Sequence, residues 1–238
     1  MSLIGYYKGL VAEFSLGASN SGCEVDWHIP RDFIASLDDE LSNKKIICKG
    51  WKAKSPLCVT RDVSPANSLG GNLKKKGALK ILVVPCESYF EENKTIYFAR
   101  TTIEVAYIFI EGKERVQKLI YGAHYDYDVN SDGRAKQRHP LYHVHFTKEL
   151  RNLKPYFENN GIVTTDYLDV SFVRLPTPHM CYSSILIGIA ADMFSQTDFD
   201  NFLKYVKKSQ KHRLRFKNVL FEQLNDRAQY TISSLSWY

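Results

Sequence analysis

The chain has 238 residues, 44% hydrophobic and 24% charged, with a net charge of +6; this fits a soluble globular protein with a full-sized core and allows an anionic partner without requiring one. Five cysteines (Cys23, Cys48, Cys58, Cys86 and Cys181) are scattered with no C-x-x-C pair, which argues against a disulfide framework and a thiolate zinc site. The opening MSLIGYYKGL lacks a signal-peptide core and no apolar run nears the ~18 residues of a membrane span, so a cytoplasmic protein with no membrane partner is expected.

Residues 1–29 alternate weakly and hold Gly5, Gly9, Gly17 and Gly22, which predicts an irregular strand or two with a turn at 17–22. Pro30 followed by Phe33, Ile34, Leu37 and Leu41 at helical spacing predicts an amphipathic helix over 30–42. Two short strands are expected around Trp51, between Lys45 and Val59. Residues 61–77 have loop chemistry, with Gly70-Gly71 before Lys74, Lys75 and Lys76. They lack P-loop spacing, and the three lysines are candidate nucleic-acid contacts.

Ala78–Pro85 reads as a buried strand and 86–94 as a turn. Thr95–Ile110 is a long strand pattern with a break near Arg100–Thr101. A hairpin turn at 111–114, a strand over Val116–Asp128 and another over Leu141–Thr147 complete an antiparallel meander. Residues 148–161 are polar with a short helix, and Tyr167–Leu175 is a further strand. Thr177 and Pro178 suit the N-cap and first turn of a buried helix reaching Phe194. Helices over 198–209, capped by Thr197, and 213–228 follow. The fold class is α+β, an antiparallel β-meander packed against C-terminal helices. One domain over 1–238 is the simplest organisation; an N-terminal subdomain would be 1–77, before a core sheet 78–175 and a helical end 177–230.

The chemistry concentrates between His124 and His145. Strand alternation puts Leu119, Tyr121, Ala123, Tyr125 and Tyr127 on one side and Ile120, Gly122, His124, Asp126 and Asp128 on the other. In the next strand His143 and His145 oppose Tyr142, Val144 and Phe146. If both apolar sides face one core, the imidazoles and carboxylates become neighbours. His donates or accepts a proton near neutral pH, and a carboxylate beside it orients it and makes it a better base. His124, Asp126, His143 and His145 are therefore the candidate catalytic set. Asp128, Arg134, Arg138, Arg174 and His179 are candidate substrate contacts, the arginines as bidentate anion clamps. The same His and Asp suit a divalent metal, although no spacing is diagnostic of a ligand set. A solvated polar sheet face fits the same residues.

Lys207, Lys208, Lys211, Arg213 and Arg215 cluster near the junction of the last two helices, with Leu214, Phe216, Val219 and Leu220 interleaved. They are a solvated basic face or a nucleic-acid backbone contact.

The strings Tyr125-Asp126-Tyr127-Asp128, His139-Pro140-x-x-His143-x-His145 and Arg174-Leu175-Pro176-Thr177-Pro178 resemble those of poorly characterised prokaryotic proteins, and are similar to the TumE type of toxin. The resemblance covers about residues 95–195; Arg commonly stands there in place of His124. It implies a toxin or antiphage-defence setting and ribonuclease activity. The expected function is thus cleavage of a phosphodiester, in RNA rather than DNA, by a toxin or defence effector that works alone or with a partner protein. The alternative is a non-catalytic component of such a complex that binds nucleic acid or protein.

Overall fold

A computed structural model of the chain describes residues 3–26, 33–35, 39–41, 46–63, 77–92, 95–112, 115–128, 142–164, 175–176, 181–212 and 215–218. The first element is a helix, α1 (Leu3–Asn20), where strands were expected. Leu3, Tyr6, Tyr7, Leu10, Val11, Phe14 and Ala18 recur at steps of three and four and are all buried, the period of one helix face. The glycines that suggested irregular backbone are points of close approach. A Cβ on Gly9 would lie 2.6 Å from the Tyr205 hydroxyl, and one on Gly17 2.7 Å from the Phe194 ring.

Strands follow: β1 (Cys23–Asp26), β2 (Phe33–Ala35), β3 (Asp39–Leu41), β4 (Ile46–Ala53), β5 (Leu57–Val63), β6 (Gly77–Glu92), β7 (Thr95–Glu111), β8 (Val116–Asp128) and β9 (Tyr142–Phe146). After them come α2 (Lys154–Asn159), β10 (Val163–Thr164), β11 (Leu175–Pro176), α3 (Tyr182–Met193), α4 (Gln196–His212) and β12 (Arg215–Asn218). The main sheet runs β1-β5-β6-β7-β8-β9-β11, with every neighbour antiparallel. Beyond β5, β6 pairs with β4. Residues 77–83 of β6 pair with β5 and residues 86–89 with β4. Pro85 falls in the gap between them, where an interior strand tolerates a residue without an N–H.

Several expected elements change. The 30–42 segment contributes β2 and β3, which pair with β4; the open edge of β4 overrides a helical pattern of only a few residues. Residues 86–92 continue β6 where a turn was expected. The break expected near Arg100 is a bulge: Ser88 pairs with Arg100 and Tyr89 with Phe98, leaving Ala99 without an opposite residue. α3 begins at Tyr182 with Cys181 at its N-cap, later than the expected start; Thr177 and Pro178 lie outside the described residues. α4 is capped by Ser195, not Thr197: the Asp198 N–H donates to Ser195 Oγ at 3.3 Å. Arg215–Asn218 is a strand parallel to β7, not part of a helix over 213–228.

Both faces of the central strands are covered. On one, Ile81, Val83, Ile103 and Val105 pack with Leu3, Leu10 and Phe14 of α1, Leu186 and Ile189 of α3, and Phe202 and Val206 of α4. On the other, Leu82, Val84, Ala106, Ile108 and Leu119 pack under Leu150, Leu153, Phe157 and Ile162. This double burial explains the near-continuous apolar reading of β6 and β7. The second cover is short and leaves part of that face polar. Among the described residues no helix is long and apolar enough to cross a membrane.

Candidate active site

Register assembles the polar face. Between β8 and β9, His124 stands opposite His145 and Asp126 opposite His143. Between β7 and β8, Glu104 stands opposite His124, Thr102 opposite Asp126 and Arg100 opposite Asp128. Further across, Cys86 pairs with Thr102 and Lys52 with Cys86. Paired positions share a face of the sheet. The helix-covered face takes the alternate residues. There Tyr121 packs on Tyr107 and Phe146, and Tyr107 Oη donates to Asp192 of α3 at 3.2 Å.

The His124 and His145 ring centroids are 5.9 Å apart with planes tilted by 50°. His124 Nε2 is buried and has no hydrogen-bond partner among the described residues. Thr102 Oγ1 donates to Asp126 Oδ1 at 3.1 Å, fixing one carboxylate oxygen. Glu104, 1% exposed, is a positioning group. Its Oε2 accepts from the Asn152 and Leu153 N–H groups at 2.9 and 3.0 Å, and its Oε1 from Asn152 Nδ2 at 3.0 Å. These bonds tie the segment after β9 to the sheet. Lys52 Nζ donates to Asn152 Oδ1 at 3.0 Å, so the same Asn152 reaches the basic end of the face. Burial pushes the Cys86 thiol up, while Lys52 and Arg100 pull it down and Glu87 pushes it up; both cations thus lie near Cys86.

Gly122 lets the covering segment close. The Thr147 N–H donates to the Gly122 carbonyl at 3.0 Å, and a Cβ there would lie 2.1 Å from the Thr147 carbonyl oxygen and 3.0 Å from Leu150 Cδ1. Gly122→Ala must push the 147–150 backbone away from β8. We expect a loss of about 2 to 4 kcal/mol in urea denaturation, in the range of overpacked or strained cores, and a weakened β8–β9 pairing that also lowers any activity of the His pair.

The structure brings His124, Asp126 and His145 together and sets the backbone positions of His143 and Asp128 in the same rows. Arg134, Arg138, Arg174, His179, Lys74, Lys75, Lys76 and Arg213 lie outside the described residues. Lys207 and Lys208 are exposed on α4, in the helix layer on the opposite side of the sheet from His124; Lys211 is in the last turn of that helix and Arg215 opens β12. Among the described residues no three His, Cys, Asp or Glu are grouped to hold a metal ion. Sequence reading missed Lys52, Arg100, Thr102 and Glu104. The signal for Thr102 and Glu104 was their shared parity in β7; Lys52 and Arg100 needed the cross-strand register.

No protein-family model, curated protein or solved structure matches the chain.

Proposed function

We propose that the chain is a phosphodiester-cleaving enzyme of the ribonuclease type, acting in the cytoplasm as a toxin or defence effector. The observation that carries the reading is the direct opposition of His124 and His145, with ring centroids 5.9 Å apart. Two imidazoles at that separation can flank one phosphodiester. One takes the proton of the ribose 2′-hydroxyl as that oxygen attacks phosphorus; the other gives a proton to the departing 5′ oxygen. The P–O5′ bond breaks as the P–O2′ bond forms, leaving a 2′,3′-cyclic phosphate and a 5′-hydroxyl. Each proton transfer contributes roughly 10²- to 10⁴-fold. Asp126, held by Thr102, supplies a fixed carboxylate opposite position 143, where it would orient an imidazole and raise its basicity. Lys52 and Arg100, on the same face, favour an anionic substrate.

The test is purified protein with end-labelled RNA and DNA of one sequence, with and without EDTA. RNA is expected to be cut to cyclic phosphate ends and DNA left intact, because the nucleophile is the 2′-hydroxyl; EDTA has no effect. Cleavage of both polymers, abolished by EDTA, would replace this mechanism with metal-activated water. Salt-sensitive RNA binding without cleavage would make the protein a binding component of a larger complex.

A further inference from the structure

A second hollow lies beside the segment that closes over Glu104. Asn152 and Leu153 turn their N–H groups to Glu104, while Arg151 and Lys154 are exposed. Between this segment, α2 and β10 sits a pocket of about 590 Å³, within the range of small-molecule sites. Its floor is Leu150, Phe157 and Ile162, all members of the apolar cluster on the second face of the sheet. Its walls are fixed by backbone geometry. The Ile162 N–H donates to the Phe157 carbonyl at 3.0 Å across Gly161, whose φ is 61°, a left-handed helix ending. Thr164, on the opposite wall, pairs with Leu119 of β8.

The rim is mixed in charge. Lys148, Arg151 and Lys154 supply three cations and Glu149 and Glu158 two carboxylates, a net of one positive charge. Lys154 meets Glu158 at 3.9 Å with both side chains largely exposed, a pairing that contributes little. Lys148 and Arg151 form no ion pair among the described residues. Unmatched cations beside an apolar floor suit a ligand with an anionic head and an apolar body. A guanidinium next to an ammonium fits phosphate, the first by a two-pronged contact and the second as a point charge. Glu149, also without an ion pair among the described residues, needs hydrogen-bond donors on the same ligand, which ribose hydroxyls offer. An acyl carboxylate brings Glu149 only repulsion, and the small net charge disfavours a triphosphate.

We propose that this pocket binds a nucleoside monophosphate, with its phosphate at Lys148 and Arg151, its ribose hydroxyls at Glu149 and its base over Leu150, Phe157 and Ile162. The site stands apart from the ribonuclease reading. Its lining includes none of His124, Asp126, His143 and His145, and its occupancy needs no cleavage.

The experiment is isothermal titration calorimetry of the full chain with 5′-AMP, adenosine, inorganic phosphate and octanoate. The proteins are the wild type, Lys148→Gln, Arg151→Gln and His145→Ala, each checked for unchanged thermal unfolding. 5′-AMP is expected to bind one site about tenfold or more tighter than adenosine or phosphate alone. Lys148→Gln and Arg151→Gln should each weaken it about five- to tenfold and leave adenosine unchanged. His145→Ala should leave 5′-AMP binding unchanged. No saturable 5′-AMP binding, or equal affinity in the wild type and both rim variants, would overturn the proposal. Binding lost in His145→Ala but kept in the rim variants would place the nucleotide on the β8–β9 face and overturn it as well. Octanoate bound more tightly than 5′-AMP, and weakened by the rim variants, would make the pocket an acyl-anion site instead.

Discussion

Glu87→Ala is expected to bring the protein close to unfolding at room temperature. Glu87 is 1% exposed. Its Oε2 accepts from Tyr7 Oη of α1 at 2.7 Å and Trp51 Nε1 of β4 at 3.0 Å, and its Oε1 from the Tyr182 N–H at the start of α3 at 2.8 Å. One carboxyl on β6 thus joins four elements, and Tyr7, Trp51 and Tyr182 pack as a ring cluster around it. Its loss leaves three buried donors without that acceptor and opens a void. The cost should be about 3 to 5 kcal/mol, against a total of roughly 5 to 15 for an ordinary domain. Urea denaturation of wild type and variant measures it.

The same group makes stability depend on pH. Burial pushes the Glu87 carboxyl from 4.5 to about 7, with the bonds from Tyr7, Tyr182 and Trp51 holding it back. Across that window the folded protein keeps a proton that the unfolded chain has released, so stability falls as pH rises. The fall attributable to Glu87 is on the order of 3 kcal/mol. Glu87→Gln, which cannot ionise, should remove that slope between pH 4.5 and 7, whatever its effect on absolute stability.

His145→Ala and His124→Ala are each expected to lower RNA cleavage by about 10²- to 10⁴-fold with unfolding midpoints near the wild type. Both rings are half-buried, on the polar face rather than in either apolar cluster. Asp126→Asn should cost less, because the amide still accepts from Thr102 Oγ1 and the residue orients rather than transfers a proton. A rate loss matched by an equal loss of folded protein would place these histidines in the scaffold instead.

Much of the fold that carries this face was legible in the residues. The hairpin that pairs Glu111 with Val116, the strand over Val116–Asp128 and the outward parity of His124 and Asp126 all follow from turn chemistry and alternation. Register was not legible. Counting back from the turn would put His124 opposite Ile103; the structure pairs it with Glu104, because Ile120 is an extra residue bulged between the Tyr107 and Ile108 pairs. That bulge also moves Leu119 from the side of Tyr121 to the side of His124, under Leu150 and Phe157. A one-residue irregularity reverses every inference across it. α1 was missed for a different reason: its glycines read as loop signals, yet they serve contacts with Tyr205 and Phe194 that exist only in the folded chain. Glu87 and Glu104, buried polar residues in strands, likewise owe their place to partners distant in sequence.

Single-turnover RNA cleavage by the double variant His124→Ala/His145→Ala tests the central claim most directly. Two imidazoles acting on one phosphodiester form a unit, so the double variant should be no slower than the more damaged single variant. Losses that multiply, or single variants as fast as the wild type, would contradict a shared site.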